Sequence, residues 1–171
     1  TLFPYTTLFR SLLDRVAKDM GQQCYEVPVG FKYISAKMAE TNAVIGGESS
    51  GGLAVRGHIA GKDGIYAAAL LVEMLAVTGK SVSQLYREIT DKYGMLYYED
   101  AAFTMTQARK AELQEKLFVK LEVPDFGNTV EKINRTDGCK VYFPDGSWVI
   151  CRFSGTEPLL RMAAEGETQS Q

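Results

Sequence analysis

The sequence predicts two domains of different fold class: an α/β layer domain over residues 12–104, and a small α+β domain with an antiparallel sheet over residues 105–171. Helical and strand-like patterns alternate through the first part, as they do in α/β layer folds. A polar helical segment, residues 106–118, then marks a change of pattern. Beyond it, the pairs Asp137-Gly138 and Asp145-Gly146 separate strand-like runs, which is typical of antiparallel hairpins with tight turns.

The first elements of the α/β domain are two helices and two short strands. An amphipathic helix begins at Leu12 and is expected to end at Gly21. Further along, the pattern predicts a strand, a helix and a second strand at residues 24–29, 32–40 and 43–45. The last strand leads into a glycine-rich loop, GGESSGG. A strand that ends at such a loop is a suitable place for a ligand.

The same domain continues with two capped helices. Asp63 is predicted to cap a long helix that Gly79 closes, and the apolar run IYAAALLVEMLAV predicts that this helix is buried on most sides. Ser81 and Gln84 form a capping box for the next helix, which ends at Gly94.

The second domain is expected to follow an extended connector, residues 95–104. After the helix at residues 106–118, three strand-like runs are predicted, the middle one CKVYF and the last SWVICRF.

Composition excludes several functional classes. The 171 residues are 46% hydrophobic and 23% charged with a formal net charge of -2, which is typical of a soluble globular protein and gives no basic surface for nucleic acid. No stretch approaches the roughly 20 apolar residues of a membrane span. Three cysteines, Cys24, Cys139 and Cys151, are too few and too scattered for a metal cluster and are expected to be reduced. We therefore expect a cytoplasmic protein without a nucleic-acid or membrane partner.

Residues 1–11, TLFPYTTLFRS, are interpreted as a non-native or disordered N-terminal segment. They lack the features of a secretory signal and resemble translated sequencing-adaptor sequence. On this hypothesis they lie outside the fold.

The segment RFSGTEPLLR, residues 152–161, is the strongest candidate for a binding site. Backbone N–H groups of a tight turn can converge on an anion, two hydroxyls can donate to it, and guanidinium groups make paired bonds to phosphate. Considered on physical grounds alone, the segment could equally be a surface turn with solvated arginines.

The same segment resembles the phosphate loop of the α-D-phosphohexomutase family, with the pattern Arg-x-Ser-Gly-Thr-Glu-Pro-x-x-Arg. The resemblance implies that this region is the fourth domain of such an enzyme, and that its loop holds the phosphate that is not being transferred. It also implies a final helix after Glu165, so this domain is expected to be truncated. The phosphate-binding residues would then be Arg152, Ser154, Gly155, Thr156 and Arg161. Glu157 and Pro158 would shape the turn, since a carboxylate repels an anion.

The loop Gly47-Glu48-Ser49-Ser50-Gly51-Gly52 resembles the sugar-binding loop in the family's third domain. The resemblance implies that Glu48 and Ser50 bind adjacent sugar hydroxyls. Ser49 stands where glucose-specific members often have a second glutamate, so the preference for glucose or mannose stays open, and an amino sugar is disfavoured. From the residues alone, a solvated or capping turn is at least as good an interpretation.

Two further segments resemble the family. RGHIAGKDG, residues 56–64, is similar to its His-x-x-x-Lys-Asp-Gly segment, which implies a substrate contact or acid/base role for Lys62 and assigns His58 either a catalytic or a structural role. PVGFK, residues 28–32, is similar to a turn whose backbone around Gly30 approaches the sugar, with Lys32 either at the substrate or exposed.

The resemblance implies an isomerase of carbohydrate metabolism, a phosphoglucomutase or phosphomannomutase. Such an enzyme moves a phosphoryl group between hexose positions 1 and 6 through a phosphoserine, a hexose 1,6-bisphosphate intermediate and Mg²⁺. Neither the family's serine loop nor its magnesium loop occurs here, so the serine, the metal site and the N-terminal domains are expected to be missing partners. The fragment alone is expected to bind hexose phosphate weakly and to be inactive. A non-catalytic sugar-phosphate binding or regulatory module is the alternative, and oligomeric state is left open.

Overall fold

The computed structural model describes residues 2–6, 11–155 and 157–168, and it consists of two units, Thr1–Met95 and Leu96–Gln171. The first combines a mixed sheet with helices, and the second contains an antiparallel sheet. The predicted fold class is thereby confirmed.

The first unit has a four-stranded sheet in the order β2-β1-β3-β4, in which β1 is parallel to β2 and β3, and β4 is antiparallel to β3. Its strands are β1 (Leu2–Thr6), β2 (Gln23–Val27), β3 (Ile45–Gly47) and β4 (Leu53–Val55). Its described helices are α1 (Ser11–Asp19), α2 (Phe31–Thr41), α3 (Gly64–Thr78) and α4 (Val82–Tyr93).

Strand β1 corrects the expectation that residues 1–11 lie outside the fold. Leu2–Thr6 pairs in parallel with β2 along its whole length and with β3 at Tyr5 opposite Gly47, and α1 begins at Ser11. Strand pairing is made by backbone groups, and aromatic residues and threonine favour extended structure. A segment with this composition can therefore fill a strand position whatever its origin.

Close packing of α2 on β3 positions the loop that follows β3. Ile34 of α2 is fully buried, and a Cβ atom added at Gly46 would lie 2.5 Å from Ile34 Cγ2 and 2.8 Å from Met38 Sδ. Glycine at position 46 thus lets the helix approach the strand directly before the GGESSGG loop.

The helix caps predicted for α3 and α4 are confirmed. Asp63 Oδ1 accepts hydrogen bonds from the backbone N–H groups of Ile65 and Tyr66, and both bonds of the Ser81–Gln84 capping box are present. The predicted burial of α3 is wrong, however, because none of its residues is buried. Among the described residues no single helix is long and apolar enough to cross a membrane, although α3 and α4 together, bent by 81° between them, meet that test by length and composition.

The second unit has a five-stranded antiparallel sheet in the order β5-β9-β8-β7-β6. Its elements are β5 (Tyr97–Thr104), α5 (Gln107–Gln114), a π-helical turn (Glu115–Val119), β6 (Lys132–Asn134), β7 (Cys139–Tyr142), β8 (Trp148–Phe153) and β9 (Leu159–Gly166). Residues predicted as a connector form edge strand β5, which pairs with β9 along its whole length. The units therefore divide after residue 95 rather than after residue 104, because these pairings tie β5 to the second sheet.

The core of the second unit contains two of the cysteines. Cys139 and Cys151 lie directly opposite each other on the consecutive strands β7 and β8. All three cysteines are free thiols. A hydrogen bond from the Cys151 thiol lowers the pKa of Cys139, and the same contact raises the pKa of Cys151.

Candidate functional site

Two arginines flank the predicted phosphate loop in the second unit. Arg152 on β8 lies directly opposite Arg161 on β9, and the chain between these strands is the loop itself. Directly opposite residues of an antiparallel pair project from the same face of the sheet. Both guanidinium groups therefore project from the same face of the sheet, at the end next to the loop. Two like charges so close together repel each other unless an anion or a carboxylate lies between them.

Arg152 already has a carboxylate partner. Its Nε and Nη2 atoms donate to Asp137 Oδ1 at 3.2 and 3.0 Å. Asp137 precedes Gly138 in the turn before β7, and a Cβ atom at Gly138 would lie 2.5 Å from both Cys151 O and Arg152 Cγ. In the part of the chain that the structure describes, Arg161 has no ion-pair partner. Arg152 is thus held in place, and Arg161 is available to a ligand.

The backbone of the loop is fixed by its own hydrogen bonds. Ser154 N–H donates to Leu159 O at 2.8 Å, and Glu157 N–H donates to Ser154 Oγ at 3.2 Å. The predicted phosphate ligand Thr156 lies outside the described residues. Glu157 contributes its backbone N–H to this turn.

Lys110 of α5 also holds this loop and was missed by sequence reasoning. Its Nζ atom donates to Ser154 O at 2.7 Å and lies 3.4 Å from Glu157 O. Carbonyl oxygens repel an anion. Because the Lys110 ammonium group binds two of these oxygens, it favours a loop conformation in which N–H and O–H donors, rather than carbonyl oxygens, face an anionic ligand. A single lysine in a polar helix gives no signal that distinguishes this role from a solvated one.

Replacing Lys110 by Met should loosen the loop and weaken phosphate binding. Hydrogen bonds to charged groups contribute about 1.5–3 kcal/mol. Because the bond from Lys110 to Ser154 O is only partly buried, we expect a loss near the lower end of this range, which corresponds to roughly tenfold in phosphate affinity. Titration with inorganic phosphate, followed by NMR, measures it. Lys116→Met, which removes an exposed ammonium paired with Glu112 at 3.1 Å, is the control, and equal losses in the two variants would argue against the role of Lys110.

The first unit brings together Glu48 and Lys62 of the predicted sugar site. Lys62 Nζ lies 2.9 Å from Glu48 Oε2 and 5.5 Å from the centroid of the Phe31 ring. The Glu48 side chain is only 12% exposed, and that of Lys62 is 53% exposed. The loop closes through bonds from Glu48 N–H to Gly52 O and from Gly51 N–H to Glu48 O, both 2.9 Å. A carboxylate acceptor and an ammonium donor therefore lie side by side at the loop.

The remaining predicted sugar-site residues differ in their placement. Ser50 is exposed in the turn of the loop, and Gly30 has φ of +132° at the start of α2, next to Phe31. Lys32 Nζ lies 4.8 Å from the centroid of its neighbour's ring, Tyr33. Gly30 is thus the member of the PVGFK turn whose backbone conformation requires glycine.

His58 lies at the cap of α3. Its Nε2 atom is 2.8 Å from Asp63 Oδ2, and its ring stacks on Tyr66 with centroids 4.1 Å apart. Hydrogen bonds to the Asp63 carboxylate, first from Tyr66 N–H and then from His58, lower the pKa of Asp63. This geometry favours the structural role for His58.

Gly52 makes the approach of Lys62 to Glu48 possible. A Cβ atom at this position would lie 2.5 Å from Lys62 Cδ and 3.1 Å from Glu48 Oε2. Both contacted atoms belong to side chains that can move, so we expect Gly52→Ala to separate the pair with little loss of stability.

The expected result for Gly52→Ala is weaker binding of the unphosphorylated sugar with an unchanged melting temperature, measured by NMR titration and thermal unfolding. Gly61→Ala is the matched control, since nothing lies within 4 Å of the added atom there. Unaltered sugar binding in Gly52→Ala would show that the Glu48–Lys62 pair does not contact the sugar.

The described residues contain no group of three or more His, Cys, Asp or Glu side chains that could hold a metal ion. They therefore provide no ligand set for the Mg²⁺ that the resemblance implies.

Comparison with known proteins gives one family for both units. Residues 5–93 match phosphoglucomutase/phosphomannomutase, alpha/beta/alpha domain III, and residues 102–171 match the C-terminal domain of the same family. The phosphoglucomutase/phosphomannomutase of Thermococcus kodakarensis is 32% identical over 167 residues, which cover 97% of this chain and 34% of the relative. Phosphoglucomutase-1 of Bos taurus is 30% identical over 84% of this chain and 30% of its own length.

Solved structures agree on the fold. A phosphoglucomutase/phosphomannomutase family protein from Burkholderia thailandensis superposes with a TM-score of 0.77 over 99% of this chain and 34% of its own, at 22% identity. The chain thus spans about a third of the length of the relatives it matches. From the matches to both domains, we conclude that this chain belongs to the phosphoglucomutase/phosphomannomutase family.

Proposed function

We propose that the chain supplies the sugar-binding and phosphate-binding loops of a phosphohexomutase. The whole enzyme would be an isomerase that interconverts hexose 1-phosphate and hexose 6-phosphate through a phosphoserine and a hexose 1,6-bisphosphate. The observation that carries this proposal is the opposed pair of Arg152 and Arg161 around a loop whose carbonyls are bound by Lys110.

In the phosphate loop, Arg161 provides the principal contact. Its guanidinium group donates two parallel bonds to phosphate oxygens, and the Ser154, Gly155 and Thr156 segment contributes backbone and hydroxyl donors. Arg152 adds positive charge from a position fixed by Asp137 at 3.0 Å. The phosphate held here is the one that is not transferred, so this loop binds and orients the substrate.

In the sugar loop, the Glu48–Lys62 pair matches the chemistry of neighbouring hydroxyls. Each hydroxyl both donates and accepts a hydrogen bond, and the pair offers an acceptor and a donor whose polar atoms are 2.9 Å apart. Ser50 provides a further hydroxyl. Orienting the ring in this way aligns it for reaction at either end.

We assign the phosphoryl transfer itself to residues outside this chain. Phosphoryl transfer depends on a positioned nucleophile and on metal-assisted charge stabilisation, for which the described residues offer no ligand set. We therefore expect the purified chain to bind hexose phosphate without converting it.

The test is to titrate the purified chain with glucose, mannose and glucosamine 6-phosphates, with the corresponding free sugars and with inorganic phosphate, and to assay mutase turnover on the same samples. The expected result is binding of the phosphates, competition by inorganic phosphate, and no turnover. Measurable turnover refutes the assignment of transfer to other groups, and absence of phosphate competition refutes the phosphate loop.

Binding without turnover also fits the alternative of a regulatory sugar-phosphate module. Recovering the coding sequence upstream of strand β1 separates the two. A serine loop and an Asp-rich loop there support the mutase, and a start codon directly before Leu2 supports the module.

A further inference from the structure

Cys139 and Cys151 are a pair of thiols that neither the sugar loop nor the phosphate loop uses. They lie directly opposite each other on β7 and β8, so both side chains project from the same face of the antiparallel sheet. Cα atoms of directly opposite residues are about 4.5–5.5 Å apart in such a sheet, and disulfides span about 4.4–6.8 Å. The backbone therefore already holds the two residues at a distance that a disulfide can bridge.

The two side chains also contact each other, because the Cys151 thiol donates a hydrogen bond to the sulfur of Cys139. Both belong to one apolar cluster: Cys139 is 2% exposed and packs with Leu117 and Val141, and Cys151 packs against the same cluster. Cys151 is half-buried. The pair thus lies at the border of the core, where a molecule as small as hydrogen peroxide can reach it.

The third cysteine provides a contrast. Cys24 lies on β2 in the first unit, and its thiol donates to Leu13 O at 3.6 Å. Burial raises the pKa of Cys24 to about 12, whereas the hydrogen bond from Cys151 lowers the pKa of Cys139. Since the thiolate is the reactive form of cysteine, Cys139 should be oxidised before Cys24.

We propose that Cys139 and Cys151 form an oxidation site, at which a hydroperoxide converts the two thiols into a disulfide within the chain. The site is separate from the sugar and phosphate loops. It does not depend on the proposed function, because it needs only the second unit and the oxidant.

The reaction takes place in two steps. The Cys139 thiolate attacks one oxygen of hydrogen peroxide, so that an S–O bond forms and the O–O bond breaks, and the hydroxide that leaves becomes water by taking up the proton that Cys139 released. The Cys151 sulfur then attacks the sulfenic sulfur of Cys139, the S–S bond forms, and the displaced hydroxide leaves as water with the Cys151 proton. Two electrons pass from the sulfurs to the peroxide, and a small dithiol restores both thiols.

The disulfide joins the two strands next to the pair formed by Asp137 and Arg152. Cys151 directly precedes Arg152, and Cys139 follows Asp137 and Gly138. A cross-link reduces the freedom of the unfolded chain, so oxidation should raise the melting temperature of the second unit by several degrees.

Mass spectrometry after treatment with an equimolar amount of hydrogen peroxide tests the proposal. The protein should lose the mass of two hydrogen atoms, and N-ethylmaleimide added after unfolding should label Cys24 alone. Trypsin cuts after Lys140, between the two cysteines, so their peptides should be found linked without a reductant and separate with dithiothreitol. Labelling of all three cysteines, or sulfinic acid at Cys139 without the linked peptides, overturns the proposal.

Two variants show which thiols respond. Cys24→Ala should keep both the linked peptides and the peroxide-induced rise in melting temperature, which dithiothreitol should reverse. Cys151→Ala should lose both, because the sulfenic acid of Cys139 then has no partner and proceeds to sulfinic acid, which dithiothreitol does not reduce. A rise in Cys151→Ala equal to that of the parent contradicts the proposal. If Cys151→Ala does not fold, the linked peptides of the parent chain and of Cys24→Ala decide the question.

Discussion

Replacing Arg161 by Ala should weaken binding of a hexose phosphate by roughly 10- to 100-fold, since hydrogen bonds to charged groups contribute about 1.5–3 kcal/mol and 1.4 kcal/mol corresponds to tenfold. Binding of the unphosphorylated hexose should be unchanged. Arg161 is exposed, so the variant should fold normally. Isothermal titration with glucose 6-phosphate and with glucose measures the difference.

Two controls define the meaning of this result. Arg87→Ala makes the same change of charge in α4 and should leave both affinities unaltered. Arg161→Lys should give an intermediate affinity, because an ammonium group keeps the charge but cannot make the paired bonds of a guanidinium group. Equal losses for the phosphorylated and unphosphorylated sugars in Arg161→Ala would refute the phosphate assignment.

Gly138→Ala should destabilise the second unit and also weaken phosphate binding. The residue has φ of +97°, and its Cβ atom would lie 2.5 Å from the backbone atom Cys151 O. A left-handed conformation costs an L-residue about 1–2 kcal/mol, and overpacking adds about 1–3 kcal/mol. Relief of the clash must move the turn that carries Asp137 or the strand that carries Arg152. Urea unfolding followed by circular dichroism measures the stability.

Gly146→Ala separates the cost of the left-handed backbone conformation from the cost of the steric clash. This glycine has φ of +86°, but nothing lies within 4 Å of an added Cβ atom. It should show the conformational cost alone and keep full phosphate affinity. If Gly138→Ala and Gly146→Ala lose equal stability and both bind phosphate normally, the turn at Gly138 does not position Arg152.

The elements that the sequence predicts well are those with strong local signals. Asp63, Gly79 and the Ser81–Gln84 pair determine the ends of α3 and α4 through hydrogen bonds within a few residues. Strand β5 lacked such a signal. It is an edge strand whose residues are all exposed, so its position depends on pairing with β9, more than 50 residues away. Burial of α3 was predicted from its composition, but composition alone does not determine what packs against a helix, and none of its residues is buried.

In the candidate site, too, the residues that belong to local sequence patterns were predicted, whereas those that act through distant contacts were not. Glu48 and Lys62 belong to segments with a recognisable order of residues, and the structure brings them within 2.9 Å. Lys110 and Asp137 act through contacts with residues distant in the sequence, in the loop and at Arg152, which no local pattern indicates. His58 belongs to a recognisable segment as well, yet its partner Asp63 makes it part of a helix cap.

Strand β1 determines where this protein can be cut. Strands β2 and β3 lie on either side of it, and the match to domain III begins at residue 5, inside Leu2–Thr6. An expression boundary chosen from family similarity would remove most of the strand that joins the two halves of the sheet. A version of the first unit that begins at residue 5 should therefore be less stable than one that keeps all of Leu2–Thr6.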